Sequence, residues 1–266
     1  MLSLTLHPAE PSLDCDRPWL VFIHGLLGDG RDWEKVLPYF RGYSCVTVDL
    51  PGHGRSNDVA LASVDTEGFA QLSQLLTETL LFYNINRYIL VGYSLGGRTA
   101  MYHACFGQRD GLCGLVIEGG NPGLNDAAER DARLVHDARW AKRFRQLPFS
   151  EALDEWYRQP VFADLDEESR RRTIAQRLQN SALTVADMLE ATSLGRQPWL
   201  TARLNDEVER RRLPFCYFCG ERDLKFQRIA QENHFPLRIV PAAGHNAHSG
   251  NPEGFAKSLL TFLKEC

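Results

Sequence analysis

Short apolar segments alternate with amphipathic ones along most of the chain. Six segments are continuously apolar and rich in β-branched or aromatic residues, at 19–24, 44–49, 88–92, 114–118, 213–220 and 237–241. Continuous rather than alternating hydrophobicity is typical of strands that are buried on both faces of a parallel sheet. The segments between them space their apolar residues three and four apart, which predicts helices. The pattern therefore predicts a doubly wound, mostly parallel α/β sheet with right-handed crossovers.

Two helix starts are marked by local signals. The helix after strand 44–49 is predicted to begin at Thr66, before apolar residues at helical spacing. The last helix is predicted to begin at Asn251-Pro252, where an N-cap residue precedes proline at the first helical position.

Residues 124–200 interrupt the alternation. They predict helices without intervening strands, at 127–146, 150–157, 167–180 and 182–191. A helical insertion between two strands lies over the carboxyl edge of the sheet, where open α/β folds bind their ligands. We therefore predict a core of residues 1–123 and 201–266, with residues 124–200 as a helical cap.

Composition excludes several classes of function. The 266 residues are 44% hydrophobic and carry a net charge of −4, so no overall field attracts nucleic acid or an anionic membrane. Residues 1–7 alternate apolar and polar and predict a strand rather than a signal peptide. No apolar run approaches the ~20 residues of a membrane helix. We expect a cytoplasmic protein that binds no nucleic acid and no membrane, with a monomer favoured.

The cysteines predict neither a disulfide framework nor a metal site. The chain has seven of them, without framework spacing. Cys216 and Cys219 have the spacing of a metal or redox pair, but they lie within a predicted strand, and no second Cys or His pair follows at zinc-finger spacing. We expect them to pack as small buried hydrophobes, with no metal bound.

The candidate nucleophile is Ser94. Strand 88–92 runs through Gly92-Tyr-Ser94-Leu-Gly96 into a predicted helix, which is the Gly-x-Ser-x-Gly pattern of a nucleophile elbow. Only glycine fits at the two ends of so tight a turn. The turn places the serine hydroxyl above the sheet, at the positive end of the helix.

A serine hydroxyl needs a base, and the base needs an acid that orients it. Asp223 follows the predicted strand 213–220, and His245 follows the next strand. This is the chain order Ser–Asp–His that the motif requires. Glu221 is the alternative acid and His248 the alternative base.

The expected oxyanion hole consists of backbone N–H groups. One belongs to Leu95, directly after the nucleophile, and the other to Leu26, in the glycine loop that follows strand 19–24. Arg98 lies one helical turn after Ser94 and faces the same side of the helix. A cation so close to the nucleophile suggests an anionic substrate, and a structural ion pair is the alternative.

Together these motifs resemble the α/β-hydrolase superfamily over nearly the whole chain. Further strings, at 118–124, 156–162, 219–223 and 244–248, are similar to one family within it, the 2-succinyl-6-hydroxy-2,4-cyclohexadiene-1-carboxylate synthases. This resemblance implies an α/β-hydrolase fold with the cap inserted between core strands. It also implies a lyase of menaquinone biosynthesis, which needs no cofactor and eliminates pyruvate from 2-succinyl-5-enolpyruvyl-6-hydroxy-3-cyclohexene-1-carboxylate.

The same resemblance implies binding residues for a small polycarboxylate substrate. Arg98, Arg133 and Arg177 would bind its carboxylates, and Tyr93 and Trp156 would line its pocket. The residues alone do not single out the two cap arginines, because residues 129–177 hold ten arginines and one lysine against ten acidic residues. Most of these charges are expected to form solvated i,i+4 pairs.

Proton abstraction by Ser94, activated by His245 and Asp223, is the mechanism that the resemblance favours. A serine carboxylesterase or thioesterase is the nearest alternative, because the same three residues would support it equally well. A binding protein without catalysis is the second alternative, and the complete set of catalytic residue types disfavours it.

Overall fold

The computed structural model describes residues 1–10, 17–61 and 67–266. Within them, seven strands form one sheet in the order β1-β3-β2-β4-β5-β6-β7. Strand β1 is antiparallel to its neighbour β3, and every other pair is parallel, which confirms the predicted mostly parallel sheet. The strands are β1 (Ser3–His7), β2 (Trp19–Ile23), β3 (Cys45–Asp49), β4 (Tyr88–Tyr93), β5 (Leu112–Glu118), β6 (Phe215–Gly220) and β7 (Leu237–Val240).

The helices of the described chain connect these strands and cover the sheet. They are α1 (Gly68–Phe82), α2 (Leu95–Phe106), α3 (Ala127–Gln146), α4 (Phe149–Trp156), α5 (Glu167–Arg177), α6 (Ala182–Ala191), α7 (Thr201–Arg211), α8 (Leu224–Glu232), α9 (Ala247–Gly250) and α10 (Pro252–Glu265). The predicted start at Thr66 lies outside the described residues. The predicted N-cap at Asn251 is confirmed, because its side chain accepts a hydrogen bond from the Gly254 N–H at 2.9 Å.

One helix of the predicted cap ends earlier than its sequence pattern indicates. Helix α5 ends at Arg177 rather than at residue 180. The Asn180 side chain instead donates to the Leu27 carbonyl at 2.8 Å, so a tertiary contact to a core loop replaces the last helical turn. The other predicted cap helices agree with α3, α4 and α6 to within one residue. The division into core and cap stays a prediction.

The strand order creates a crevice between β2 and β4. The chain passes from β2 to β3 on one side, and β4 then pairs with the other side of β2, with Ile23 opposite Gly92. Helices that leave neighbouring strands in opposite directions open a crevice at their carboxyl ends, where open α/β sheets bind ligands. The loop after β2 and the turn after β4 therefore meet at this point.

Three apolar clusters hold the fold together. One lies between the sheet and helices α1 and α2, and a second lies on the opposite face against α10. The third is formed within the predicted cap by α3, α4 and α6, and it includes Leu27 from the loop after β2. Burial of Leu27 in this cluster fixes the cap segment to that loop.

The structure also bears on the expectations about membrane helices, metal sites and cysteines. No helix among the described residues has the length and hydrophobicity to cross a membrane. No cluster of three or more His, Cys, Asp or Glu in that same part of the chain is arranged to hold a metal ion. Cys216 and Cys219 are free thiols buried in β6, as predicted. The monomeric state and the cytoplasmic location stay predictions.

Candidate active site

Ser94 lies at the turn between β4 and α2 in a backbone conformation that few side chains adopt. Its φ is 50° and its ψ is −109°, and strain of this kind is concentrated at functional turns. Two glycines make the turn possible: a Cβ on Gly92 would lie 2.4 Å from the Gly96 carbonyl oxygen, and one on Gly96 would lie 2.2 Å from that of Ile23. The Ser94 N–H donates to the Glu118 carbonyl at 2.8 Å.

His245 and Asp223 meet at the carboxyl ends of β6 and β7. His245 Nδ1 and Asp223 Oδ2 are 2.7 Å apart, and both side chains are 7% exposed. The Phe226 ring lies 4.5 Å from the His245 ring, and the Tyr93 ring lies 5.4 Å from it. The carboxylate therefore holds the Nδ1–H tautomer, which leaves Nε2 available to accept a proton.

The two alternatives named from sequence occupy other positions. Glu221 is exposed, and its carboxylate accepts a hydrogen bond from the Ala242 N–H at 2.8 Å. His248 lies within the short helix α9 rather than on an open loop, and it pairs with Glu118. Neither residue takes part in the His245–Asp223 contact.

The Ser94 hydroxyl is not hydrogen-bonded within the described part of the chain. The third link of the predicted triad, between Ser94 Oγ and His245 Nε2, is therefore open in this conformation. Catalytic hydrogen bonds are often long or poorly aligned until the substrate binds.

The backbone N–H groups of Leu26 and Leu95 are the donors predicted for the oxyanion hole. Neither donates to an acceptor in the parts of the protein that the structure describes. Gly96 presses the start of α2 against the end of β2, which brings the two loops that carry these N–H groups together. Two free donors of this kind, at the positive end of a helix, are suited to hold a developing oxyanion.

Two buried histidines hold the loop that contains Leu26. The Leu27 N–H donates to His53 Nε2 at 3.0 Å, and the Leu50 N–H donates to His24 Nε2 at 2.9 Å. Both Nε2 atoms must therefore be unprotonated. Burial lowers the pKa of both imidazoles, that of His53 to about 3.

We expect this loop to make the protein sensitive to acid. Because the two pKa values lie below 6.5 in the folded state, the unfolded chain binds more protons below pH ~6.5. The stabilisation is complete above that pH and is lost as the pH falls, by up to about 1.4 kcal/mol per pH unit for each histidine. Urea unfolding at several pH values measures the slope. We expect His53→Gln to reduce the slope of unfolding free energy against pH, and the exposed control His234→Gln to leave that slope unchanged. Equal slopes in the two variants would contradict this expectation.

Arg98 projects from α2 one helical turn after Ser94. Its Nε donates to Gln197 Oε1 and its Nη2 to the Thr192 carbonyl, both at 2.6 Å. Among the described residues, no carboxylate lies within ion-pair distance of it. Burial lowers the pKa of Arg98 and the charge of Arg133 lowers it further, while the charge of Asp137 opposes both effects. The described residues therefore give no support to the alternative of a structural ion pair, because both hydrogen-bond partners are neutral acceptors.

Arg133 does form an ion pair. Its Nε lies 2.7 Å from Asp137 Oδ1, at i,i+4 spacing on α3. Asp137 is almost completely buried, and its other oxygen accepts from the Ser193 hydroxyl at 2.7 Å. The neighbouring segment thus supports both arginines, since Thr192 and Ser193 hold Arg98 and Asp137 respectively.

Arg177 and Trp156 are both held by structural contacts. Arg177 Nη2 lies 2.7 Å from Asp32 Oδ1, and its Nε donates to the Tyr157 hydroxyl at 3.4 Å. Burial opposes the charge, but Asp32 and Tyr157 outweigh it and raise the pKa of Arg177. The Trp156 ring packs edge-on against Trp140, with centroids 5.0 Å apart, in the apolar cluster of the cap segment. Substrate contact by either residue stays a prediction.

Known proteins match the chain over most of its length. A family model described as the alpha/beta hydrolase family matches residues 20–258. A relative from Pectobacterium atrosepticum, named 2-succinyl-6-hydroxy-2,4-cyclohexadiene-1-carboxylate synthase, is 53% identical over 93% of this chain and 94% of its own. A Yersinia pestis relative of the same name is 49% identical over 98% and 93%.

The chain belongs to the α/β-hydrolase family, among its 2-succinyl-6-hydroxy-2,4-cyclohexadiene-1-carboxylate synthases. A solved structure described as MenH from S. aureus agrees with this membership, with a TM-score of 0.86 at 29% identity over 98% of both chains. A carboxylesterase structure from Nitrososphaera gargenis has a TM-score of 0.75 at 18% identity, over 99% and 94% of the two chains. That second similarity shows the fold alone. The family resemblance and the α/β-hydrolase fold inferred from the motifs are both confirmed.

Sequence reasoning did not find the carboxylates that hold the candidate binding arginines of this α/β-hydrolase. Asp137 could have been suggested by its i,i+4 spacing to Arg133. Asp32 had no such signal, because it lies 145 residues from Arg177. The Glu118–His248 contact was missed as well, although both residues lie within the strings that carry the family resemblance.

Proposed function

We propose that this enzyme is a lyase that eliminates pyruvate from 2-succinyl-5-enolpyruvyl-6-hydroxy-3-cyclohexene-1-carboxylate, giving 2-succinyl-6-hydroxy-2,4-cyclohexadiene-1-carboxylate. The relatives that are 49–53% identical carry the name of this synthase. The observation that carries the proposal is Arg98, one helical turn from Ser94, whose hydrogen bonds to the described residues go to neutral acceptors. Such a cation is stabilised by an anionic ligand, and the proposed substrate carries several carboxylates.

The proposed reaction begins with proton abstraction. Ser94 Oγ removes the ring proton alpha to the succinyl carbonyl, while its own hydroxyl proton passes to His245 Nε2. Asp223 stabilises the imidazolium through the 2.7 Å contact to Nδ1. The carbonyl oxygen gains negative charge and accepts hydrogen bonds from the N–H groups of Leu26 and Leu95.

Elimination completes the proposed reaction. The electrons of the carbonyl-conjugated intermediate form the new ring double bond and break the bond between the ring carbon and the enolpyruvyl oxygen. The enolate of pyruvate leaves and takes up the proton that His245 holds. Ser94 keeps the proton that it removed from the ring, so both residues return to their starting protonation states. The reaction consists of proton transfers and one heterolytic C–O cleavage without an external oxidant or reductant, so side chains and backbone donors suffice for the chemistry.

The three candidate arginines differ in whether they already contact a carboxylate of the protein. No carboxylate among the described residues forms an ion pair with Arg98, so it is the first candidate for a substrate carboxylate. Arg133 and Arg177 already contact Asp137 and Asp32. They can bind a substrate carboxylate through guanidinium N–H groups that these aspartates leave unused, since a guanidinium has five donors. Tyr93 stays neutral because burial raises the pKa of its phenol, so its hydroxyl can donate to the substrate.

The proposal is tested by supplying two substrates to the purified protein. Pyruvate release from the enolpyruvyl substrate is followed with a coupled lactate dehydrogenase reaction, and hydrolysis of a 4-nitrophenyl ester is followed by absorbance. We expect kcat/KM for pyruvate release to exceed that for the ester by several orders of magnitude. Ester turnover faster than pyruvate release would instead support the esterase alternative.

A further inference from the structure

A second imidazole–carboxylate pair lies beside the His245–Asp223 pair. Glu118, the last residue of β5, accepts two hydrogen bonds from His248, one from Nδ1 at 2.7 Å and one from the backbone N–H at 3.0 Å. Both side chains are completely buried. Burial of a carboxylate at this depth is unfavourable unless its hydrogen bonds are well formed, so the pair requires an explanation.

The hydrogen bonds of His248 show which of its ring nitrogens carries a proton. Nδ1 must carry a proton to donate to Glu118. Nε2 is buried and has no hydrogen-bond partner in the described part of the protein. The ring is stacked on Trp33 at 4.1 Å and meets the edge of Tyr93 at 4.9 Å. Since these rings enclose it, the pair cannot exchange protons with a substrate.

The pair joins the two parts of the active site that must react together. The Glu118 carbonyl holds the Ser94 N–H at 2.8 Å, whereas its carboxylate holds the backbone three residues after His245. The next residue, Gly119, has a φ of 58°, and a Cβ there would lie 2.7 Å from His245 Cε1. The end of β5 therefore contacts the serine turn on one side and the imidazole on the other.

We propose that Glu118 and His248 are positioning residues, which fix the segment carrying His245 relative to the turn carrying Ser94. The proposal rests on the proposed function only in requiring that Ser94 and His245 act together. The open link between these two residues makes the distance critical, because a misplacement of about 1 Å can cost about 10²-fold in rate. A pair that served folding alone would change stability and leave the rate of the folded enzyme unaffected.

The test compares two substitutions of His248 with a matched control. Asparagine places an amide N–H near the position of Nδ1 and keeps the bond to Glu118, whereas leucine removes it. We expect His248→Leu to lower kcat by about 10²-fold, with KM changed less than threefold. The kcat of His248→Asn should be at least ten times that of His248→Leu. Glu118→Gln, which keeps one of the two acceptor contacts, should lower kcat by about tenfold.

The control is His103, another completely buried histidine with two side-chain hydrogen bonds. Its Nδ1 contacts Ser73 Oγ and its Nε2 contacts the Tyr88 hydroxyl, both at 2.9 Å. Tyr88 begins β4 at the end of the sheet opposite Ser94. His103→Leu should therefore destabilise the fold in the same way but keep kcat within twofold, after correction for the folded fraction measured by urea unfolding.

A second readout does not depend on the natural substrate. A fluorophosphonate probe forms a bond from Ser94 Oγ to phosphorus and releases fluoride, while His245 takes the hydroxyl proton. We expect the labelling rate to fall in His248→Leu and Glu118→Gln but not in His103→Leu. Equal labelling rates and equal kcat values in His248→Leu and His103→Leu would overturn the positioning role. A wild-type enzyme that the probe does not label would also overturn it. A wild type that is labelled but releases no pyruvate would refute the proposed function alone.

Discussion

Replacing Ser94 by alanine is expected to lower kcat for pyruvate release by about 10³-fold, the typical contribution of a well-placed general base. The loss should be in kcat rather than in KM, because the arginines that would bind the substrate are unchanged. Alanine accepts the backbone conformation of Ser94 no worse than serine does, so the thermal unfolding midpoint should stay the same. Stopped-flow or coupled pyruvate assays at saturating substrate measure the effect.

A matched serine substitution separates this effect from general damage. Ser258 lies on α10, away from the carboxyl edge of the sheet, and Ser258→Ala should keep full activity. If Ser94→Ala retained pyruvate release within tenfold of wild type, Ser94 would not be the base. The elimination would then have to be explained by His245 or by substrate binding alone.

The second large effect is expected at Arg98. Arg98→Ala should lower kcat/KM by about 10²-fold, because a charge-assisted contact to a carboxylate contributes about 1.5–3 kcal/mol and 1.4 kcal/mol corresponds to a factor of ten. Most of the loss should appear as a higher KM. Since the substitution also removes the contacts to Thr192 and Gln197, a second variant is needed to isolate the charge.

Gln197→Glu supplies that variant, because it keeps the arginine and gives it an internal carboxylate. Gln197 Oε1 lies 2.6 Å from Arg98 Nε, so the new carboxylate would compete with the substrate for the guanidinium. We expect kcat/KM to fall at least tenfold. Because the substitution also turns the Gln197 Nε2 that donates to the Asn121 carbonyl into an acceptor, the folded fraction is measured by urea unfolding and kcat/KM is corrected for it.

The control for this charge change is Gln179→Glu. Gln179 accepts a hydrogen bond from Arg31 at 3.0 Å in an exposed position, so the chemical change is the same but the arginine is already paired with Asp29. Exposed ion pairs contribute about 0–1 kcal/mol, and activity should stay within twofold. Equal activity in the two glutamate variants would mean that Arg98 does not bind an anion.

The sequence by itself determined the parts of the protein that depend on local patterns. Continuous apolar segments marked the parallel strands, and glycine at both ends of the Ser94 turn marked the elbow, because only glycine allows so close a backbone approach. Chain order favoured Asp223 and His245 but left Glu221 and His248 open as alternatives, since all four follow strands whose carboxyl ends meet at one edge of the sheet. The cap arginines could not be ranked in this way, because solvated and buried charges look alike in a sequence.

The tertiary structure decided which charges are compensated and which residues hold the candidate catalytic ones. It left Arg98 with neutral partners and gave Arg177 the carboxylate of Asp32. It also paired Glu118 with His248, which lie 130 residues apart in the chain. No periodicity connects such distant residues. Their contact exists only because strand order and crossover direction bring the ends of β5 and β7 to the same edge of the sheet.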